Sequence, residues 1–164
     1  MNVWITTAGT SPFAAINSIW AAIIHEDFKP KRIHILANDF VVKKKYLEQV
    51  VQGCEHLMNG YDLSVEIKTH EFEETDFSSY FKRLQALVKE EKMAGNEVAI
   101  DMTPGRKYMS AFSMYLGVGE DISHKADRIY YHHLLDLSFG AYPYPLIPSN
   151  LRHLYMMNKD RKEG

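Results

Sequence analysis

The sequence is short of cysteine, of long apolar runs and of net positive charge, and each shortage removes a class of protein. Cys54 is the only cysteine among 164 residues, so an intrachain disulfide and a cysteine-rich zinc site are both excluded. A reducing, cytoplasmic setting is expected. No apolar stretch approaches the ~18 residues that cross a bilayer, and the opening Met-Asn-Val-Trp-Ile-Thr-Thr lacks the basic and apolar regions of a secretory signal. No membrane contact is expected. The 19 Lys and Arg against 21 Asp and Glu leave a formal charge of −2, which provides no general basic field for long nucleic acid. Any polyanion must be gripped locally.

What is present suits a folded protein. A chain that is 46% hydrophobic and 24% charged argues against disorder, and 164 residues fit a single domain with one core. That domain is expected over residues 1–150, followed by a C-terminal tail, 151–164, whose charged end Lys159–Gly164 should fray. There is no internal repeat and no sign of a second domain.

Short β-rich runs alternate with longer segments of helical spacing, which predicts an α/β fold: Rossmann-like, doubly wound, with a mainly parallel sheet of about five to six strands and helices on both faces. Strands are expected over Asn2–Thr7, Arg32–Ala37, Leu63–Thr69, Glu97–Asp101 and Ala126–His133. Helices are expected from Pro12, over Val41–Met58, over Phe77–Lys92 and over Gly105–Leu116. Ser11-Pro12 marks the first helix start, because proline at the first helical position costs no hydrogen bond and pushes Ser11 into an extended N-cap geometry. Phe13, Ile16, Ile19, Trp20 and Ile23 should face inward from that helix. Cys54 shares a helical face with Val50, Val51 and Leu57 and is read as core. The next helix should bury Phe77, Tyr80, Leu84, Leu87 and Val88, and the acidic stretch Glu71–Asp76 before it reads as a solvated connection. Beyond His133, three prolines within Tyr142–Pro148 exclude a central strand, so this segment either folds back over the site or packs on the sheet edge.

In such sheets ligands bind beyond the carboxyl ends of the strands, where strand order reverses. With the order 3-2-1-4-5, that point lies between strands 1 and 4. The loops leaving them are Thr6-Thr7-Ala8-Gly9-Thr10-Ser11-Pro12 and Asp101-Met102-Thr103-Pro104-Gly105-Arg106-Lys107. The first offers backbone amides, three threonine hydroxyls and Ser11 to an anion at a helix N-terminus; its plainer reading is a helix cap with no ligand. The second puts Arg106 and Lys107 in a first helical turn, where the macrodipole disfavours cations by a few tenths of a kcal/mol each. A bound anion would remove that penalty.

These two loops together resemble the CRISPR-associated Rossmann fold (CARF) family. That family shows an Asp-x-Thr-x-Gly-x-Lys pattern after its fourth strand, which Asp101, Thr103, Gly105 and Lys107 match in place. The likeness spans about residues 1–133 and includes a fifth strand of the type Asp127-Arg128-Ile129-Tyr130-Tyr131. Two positions depart from the pattern. Pro104 stands where a small residue is usual and Arg106 where the family often has threonine or another small polar residue, so the loop should be stiffer and more cationic.

The resemblance implies a homodimer that binds a cyclic oligoadenylate, the second messenger of type III CRISPR antiviral defence, across its two-fold axis. Cyclic tetra-adenylate is the ring expected first. About 30 residues after the fifth strand leave no room for the effector domains that fused relatives carry, so a stand-alone sensor domain resembling the ring nucleases is expected. In that reading the ribose 2′-hydroxyl attacks its own neighbouring phosphodiester, which calls for no metal or other cofactor. By motif position, Lys107 would stabilise charge on the phosphate or leaving oxygen and Ser11 would orient the ribose or phosphate. Ala8, Gly9, Thr10, Thr103, Pro104, Gly105, Arg106 and Asn38 would form the ligand-binding surface. Binding without cleavage, as a sensor or sink that regulates a partner, is the alternative. A dinucleotide-dependent enzyme is a further one, since Asn38-Asp39 ends strand 2 where an acidic residue holds a ribose, although the first loop has a single glycine in place of Gly-x-Gly-x-x-Gly.

Other groupings have plainer explanations. Adjacent His132 and His133 point to opposite faces of a strand, so they do not readily share a metal ion; at least one is read as structural, and neither His25 nor His124 adds a defined ligand set. Tyr130, Tyr131, Tyr142 and Tyr144 are read as packing ahead of base stacking, and Lys43-Lys44-Lys45 as a solvated helix face.

Overall fold

The computed structural model describes residues 1–159; the remaining positions, which make up most of the end expected to fray, lie outside them. In chain order the elements are β1 (Asn2–Thr7), α1 (Pro12–Glu26), β2 (Arg32–Asn38), α2 (Asp39–Lys43), α3 (Tyr46–Gly60), β3 (Glu66–Phe72) and α4 (Phe77–Met93). Then follow β4 (Glu97–Asp101), α5 (Lys107–Val118), β5 (Arg128–Leu134), three single 3-10 turns between 137 and 151, and β6 (Arg152–Met156).

The sheet has the order β3-β2-β1-β4-β5-β6. Its first five strands run parallel and β6 pairs antiparallel with β5. Strand alternation divides the core between two faces. Trp4, Ile33, Ile35 and Tyr130 join residues of α1 and α3 on one side, while Val3, Ile5, Leu36 and Ile100 join α4 and α5 on the other. Cys54 is buried in the first of these layers. Burial on both faces is what a parallel sheet covered by crossover helices requires. The α/β, Rossmann-like architecture is therefore the one expected.

The differences from expectation are local. The helix expected over Val41–Met58 is two helices, broken where Lys45 takes a left-handed φ of 61°. β3 starts three residues later than the alternation of Leu63, Val65 and Ile67 suggests. Its register is set by pairing with β2, from Arg32 opposite Glu66 to Asn38 opposite Phe72, while Leu63 and Val65 pack against the core as part of the connection. α5 and β5 each begin two residues later than expected. β6 has no counterpart in the sequence reading, where residues 151–164 are tail; its Leu154 and Met156 pack against the core from an edge strand. Phe77 is not inward-facing but 54% exposed, stacked on Tyr108 with ring centroids 4.1 Å apart.

A buried polar network braces the α4 face. Glu91, 1% exposed, accepts from Arg32 Nη1 at 2.7 Å, from Asn96 Nδ2 at 2.6 Å, and pairs with His34 Nε2 at 2.9 Å. Burial holds the His34 imidazole below its ordinary range, and bonds from His34, Arg32 and Asn96 overcome burial to hold the Glu91 carboxyl below its own. Removing one partner of a buried charged network strands the others. Glu91→Ala should lower stability by on the order of 3 kcal/mol at neutral pH, measured by denaturant unfolding.

Candidate functional site

The order β2-β1-β4 places the strand-order reversal between β1 and β4, and one buried carboxyl organises the loops there. Asp101, 2% exposed at the end of β4, accepts from Thr6 Oγ1 of β1 at 2.9 Å and from the backbone N–H of Thr103 at 2.9 Å. Thr103 Oγ1 in turn accepts from the backbone N–H of His132 on β5 at 2.8 Å and lies 3.0 Å from Ser18 Oγ of α1. Four elements are thus tied at one point. Burial pushes the Asp101 carboxyl up to about 6, against hydrogen bonds from Thr103, Thr6 and Ser18 that favour the ionised form.

Above this hub lies an open cavity of about 290 Å³. Ala8, Gly9, Thr10 and Ser11 line it from the β1–α1 loop, and Thr103, Pro104, Gly105 and Arg106 from the β4–α5 loop. Asn38 and Glu74 also line it, with Ala14, Phe40, Val41 and Met109. The two loops touch through their glycines: a Cβ on Gly9 would stand 3.6 Å from Gly105 N. Gly105 has a φ of +95°, which a side chain disfavours, and a Cβ there would meet Met109 Sδ at 2.7 Å. This turn puts the α5 N-terminus against the cavity.

Of the four helices that leave a strand, α2 and α4 are capped by the side chains of Asn38 and Asp76, whereas α1 and α5 have no side-chain cap. Ser11 occupies the N-cap position of α1 with the expected extended backbone, but its side chain makes no capping bond. Its hydroxyl donates to the Gly140 carbonyl at 3.3 Å. The N-cap of α5 is Arg106, which has no acceptor to offer. Both helix starts border the cavity; Pro12 brings no N–H to the first, and the Arg106 N–H at the second meets Met109 Sδ at 3.3 Å, so an anion would meet the positive dipole ends and the remaining first-turn amides.

The structure assigns the remaining candidates unequal places. Thr6 and Thr7 do not face an anion: their hydroxyls are engaged with Asp101 and, at 3.0 Å, with Tyr80 on the α4 side. Thr10 is exposed at the rim, and Thr103 reaches the cavity with its hydroxyl already engaged by the hub. Lys107 is exposed on the first turn of α5, outside the cavity lining, and makes no ion pair with the described residues. Arg106 is not free. Its Nε bonds Glu74 Oε1 at 2.6 Å, so a carboxylate of the same chain offsets part of the dipole penalty expected to call for a ligand. The stretch Glu71–Asp76 is accordingly no mere solvated connection, since Glu74 also accepts from Asn38 Nδ2 at 2.8 Å. Asn38 accepts from Val41 N as well, and Asp39 pairs with Lys43, which engages the two side chains that a dinucleotide ribose would need.

A neighbouring cavity of about 310 Å³ shares Ser11, Ala14 and Thr103 and is lined by His132 and His133. His132 is 5% exposed, its imidazole pushed down to about 4 by burial and by the nearby Arg152, so it is neutral at pH 7. His133 Nδ1 instead lies 3.2 Å from Tyr131 OH, and His25 Nε2 lies 2.6 Å from Tyr144 OH. Tyr130 is buried, stacked on Trp4 at 5.4 Å. The proline-rich segment folds back on α1, where Asn17 Nδ2 donates to the Tyr142 carbonyl at 2.9 Å. Glu74 and Ser18 were absent from the sequence-based site; the acidic run was the only signal for Glu74, and nothing in a helical serine pointed to Ser18.

No protein-family model and no curated protein matches the sequence. Solved structures share its fold. Enterococcus italicus Csm6 bound to cyclic hexa-2′-fluoro-hexa-dAMP superposes with a TM-score of 0.61 at 17% identity, over 96% of this chain and 42% of that one. Protein VC1899 from Vibrio cholerae does so with a TM-score of 0.57 at 12% identity, over 87% of this chain and 34% of that one. The chain thus spans less than half the length of either protein. At these identities the likeness is one of fold, and it agrees with the Rossmann-like α/β architecture expected from the sequence.

The raised Asp101 carboxyl has a definite sign in stability. Its folded value of about 6 exceeds the ordinary 3.8, so between these limits the fold binds a proton that the unfolded chain does not. Its contribution grows as pH falls through 6. Relative to Asp101→Asn, the wild-type protein should gain on the order of 2 kcal/mol of stability between pH 7 and pH 4, read from denaturant unfolding at each pH.

Proposed function

We propose that the protein binds a cyclic oligoadenylate in the cavity between the β1–α1 and β4–α5 loops, at the interface of a homodimer, and cleaves it. The observation that carries this reading is the pair of uncapped helix N-termini, α1 and α5, turned toward one cavity beside the guanidinium of Arg106. Such a seat suits a phosphodiester anion. The ligand class is supported by the Csm6 structure of the same fold, which holds a cyclic hexanucleotide analogue. A ring with rotational symmetry suits a two-fold cleft. Leu137, 84% exposed and lining the adjacent cavity with Ser11, supplies apolar surface for a second copy.

The reaction is an internal transesterification. The 2′-oxygen of one ribose bonds to the adjacent phosphorus, the bond from phosphorus to the 5′-oxygen breaks, and the products are a 2′,3′-cyclic phosphate and a 5′-hydroxyl. Because nucleophile and phosphate belong to one molecule, holding them in line supplies much of the rate. The free first-turn amides would receive charge on the non-bridging oxygens, Ser11 would orient the ribose, and Lys107 would stabilise charge on the departing 5′-oxygen, which takes up the proton released by the 2′-hydroxyl. Gly9 and Gly105 would let the phosphate approach the backbone.

Binding without cleavage is a second reading, favoured by the position of Lys107 outside the cavity lining. One assay separates them. Incubation with cyclic tri-, tetra- and hexa-adenylate in EDTA, followed by chromatography, should yield linear products ending in a 2′,3′-cyclic phosphate, with cyclic tetra-adenylate the preferred ring. Lys107→Ala should lower that rate at least tenfold while leaving thermal stability nearly unchanged, because an exposed first-turn lysine contributes little to the fold. Intact ring after long incubation with tight binding would establish the sink, and unchanged turnover in the variant would remove Lys107. Light scattering should report a dimer; a monomer with ligand present would defeat the shared site.

A further inference from the structure

Resting on the ligand class proposed above, we infer that Glu74 sets the phosphate charge that the cavity accepts, admitting the monoanionic diester of a closed ring and rejecting the dianionic terminal phosphate of a linear nucleotide. The carboxylate lies at the rim of the proposed anion seat and is held from several sides. Its Oε1 meets Arg106 Nε at 2.6 Å and its Oε2 accepts from Asn38 Nδ2 at 2.8 Å. The Glu74 carbonyl accepts from Tyr108 OH at 3.2 Å, and Tyr108 is itself stacked on Phe77 at 4.1 Å. Position and orientation are thus fixed by the end of β2, the start of α5 and the start of α4.

The charge count follows from the lining. Among the described residues that line the cavity, Arg106 is the only Lys or Arg and Glu74 the only Asp or Glu. The pair contributes no net charge. What remains positive is the two helix N-termini, each equivalent to roughly half an elementary charge. Their sum matches one negative charge. A diester phosphate carries one and is compensated; a terminal phosphate near pH 8 carries about two, leaving one uncompensated beside a carboxylate. A structural ion pair alone would explain the contact of Glu74 with Arg106, but it would not make binding depend on the ligand's charge.

The test measures affinity at pH 8 for three ligands: cyclic tetra-adenylate, linear tetra-adenylate ending in a 2′,3′-cyclic phosphate, and linear tetra-adenylate ending in a 3′-phosphate. The first two offer only monoanionic phosphates, and the third ends in a dianion. The wild-type protein should bind the third at least tenfold more weakly than the second. Glu74→Gln, which keeps the shape and removes the charge, should narrow that gap to about threefold or less, and raising the salt should narrow it in the wild type. Equal wild-type affinity for the two linear ligands overturns the inference without any variant, as does a gap unchanged in Glu74→Gln. Failure of the wild type to bind any of the three overturns the ligand reading itself, whereas ring binding without charge discrimination overturns only the role of Glu74.

Discussion

The hydrogen-bonded carboxyl of Asp101 is the constraint from which the rest of the site follows. Parallel strands end at the same level of the sheet, so the loops that leave β1 and β4 must be tied together to be aimed at a common point. A buried carboxyl that receives Thr6 on one side and the Thr103 amide on the other does this. Through Thr103 the same point reaches α1 and β5. The hydroxyls nearest the sheet are engaged in this bracing, which leaves the cavity walls to glycines, backbone amides and the outer side chains. A surface built from backbone amides recognises an anion by geometry, because its donors cannot rotate away.

Much of this arrangement was legible in the sequence. Hydrophobic alternation located the central strands, buried on both faces with little competing signal, and Ser11-Pro12 located the start of α1. The two loops at the reversal of strand order could be named because topology puts ligands there. What was not legible depended on partners distant in the chain. The register of β3 is decided by β2, the existence of β6 by β5, and the break at Lys45 by backbone geometry that no periodicity announces. In the site, residue type alone made Thr6, Thr7, Thr10 and Ser11 look alike, whereas their directions differ: two face inward to Asp101 and Tyr80, one faces solvent, and one reaches the folded-back segment at Gly140.

Two cations at a helix start suggest an unmet need for an anion, yet Arg106 already has one in Glu74, more than thirty positions away in sequence. The unusual property of the site is therefore the lack of side-chain caps on α1 and α5, with the charged pair nearly balanced beside them. A chain with a formal charge of −2 can hold an anion in this way without a basic surface.

The two tryptophans report on different parts of the molecule. Trp4 is fully buried in the central strand against Phe28 and Tyr130, so its emission follows the integrity of the sheet. Trp20 sits half-buried on α1, its indole donating to Tyr61 OH at 3.1 Å. Fluorescence from one indole would register unfolding while the other registers events along α1, so the protein carries two optical probes without labelling.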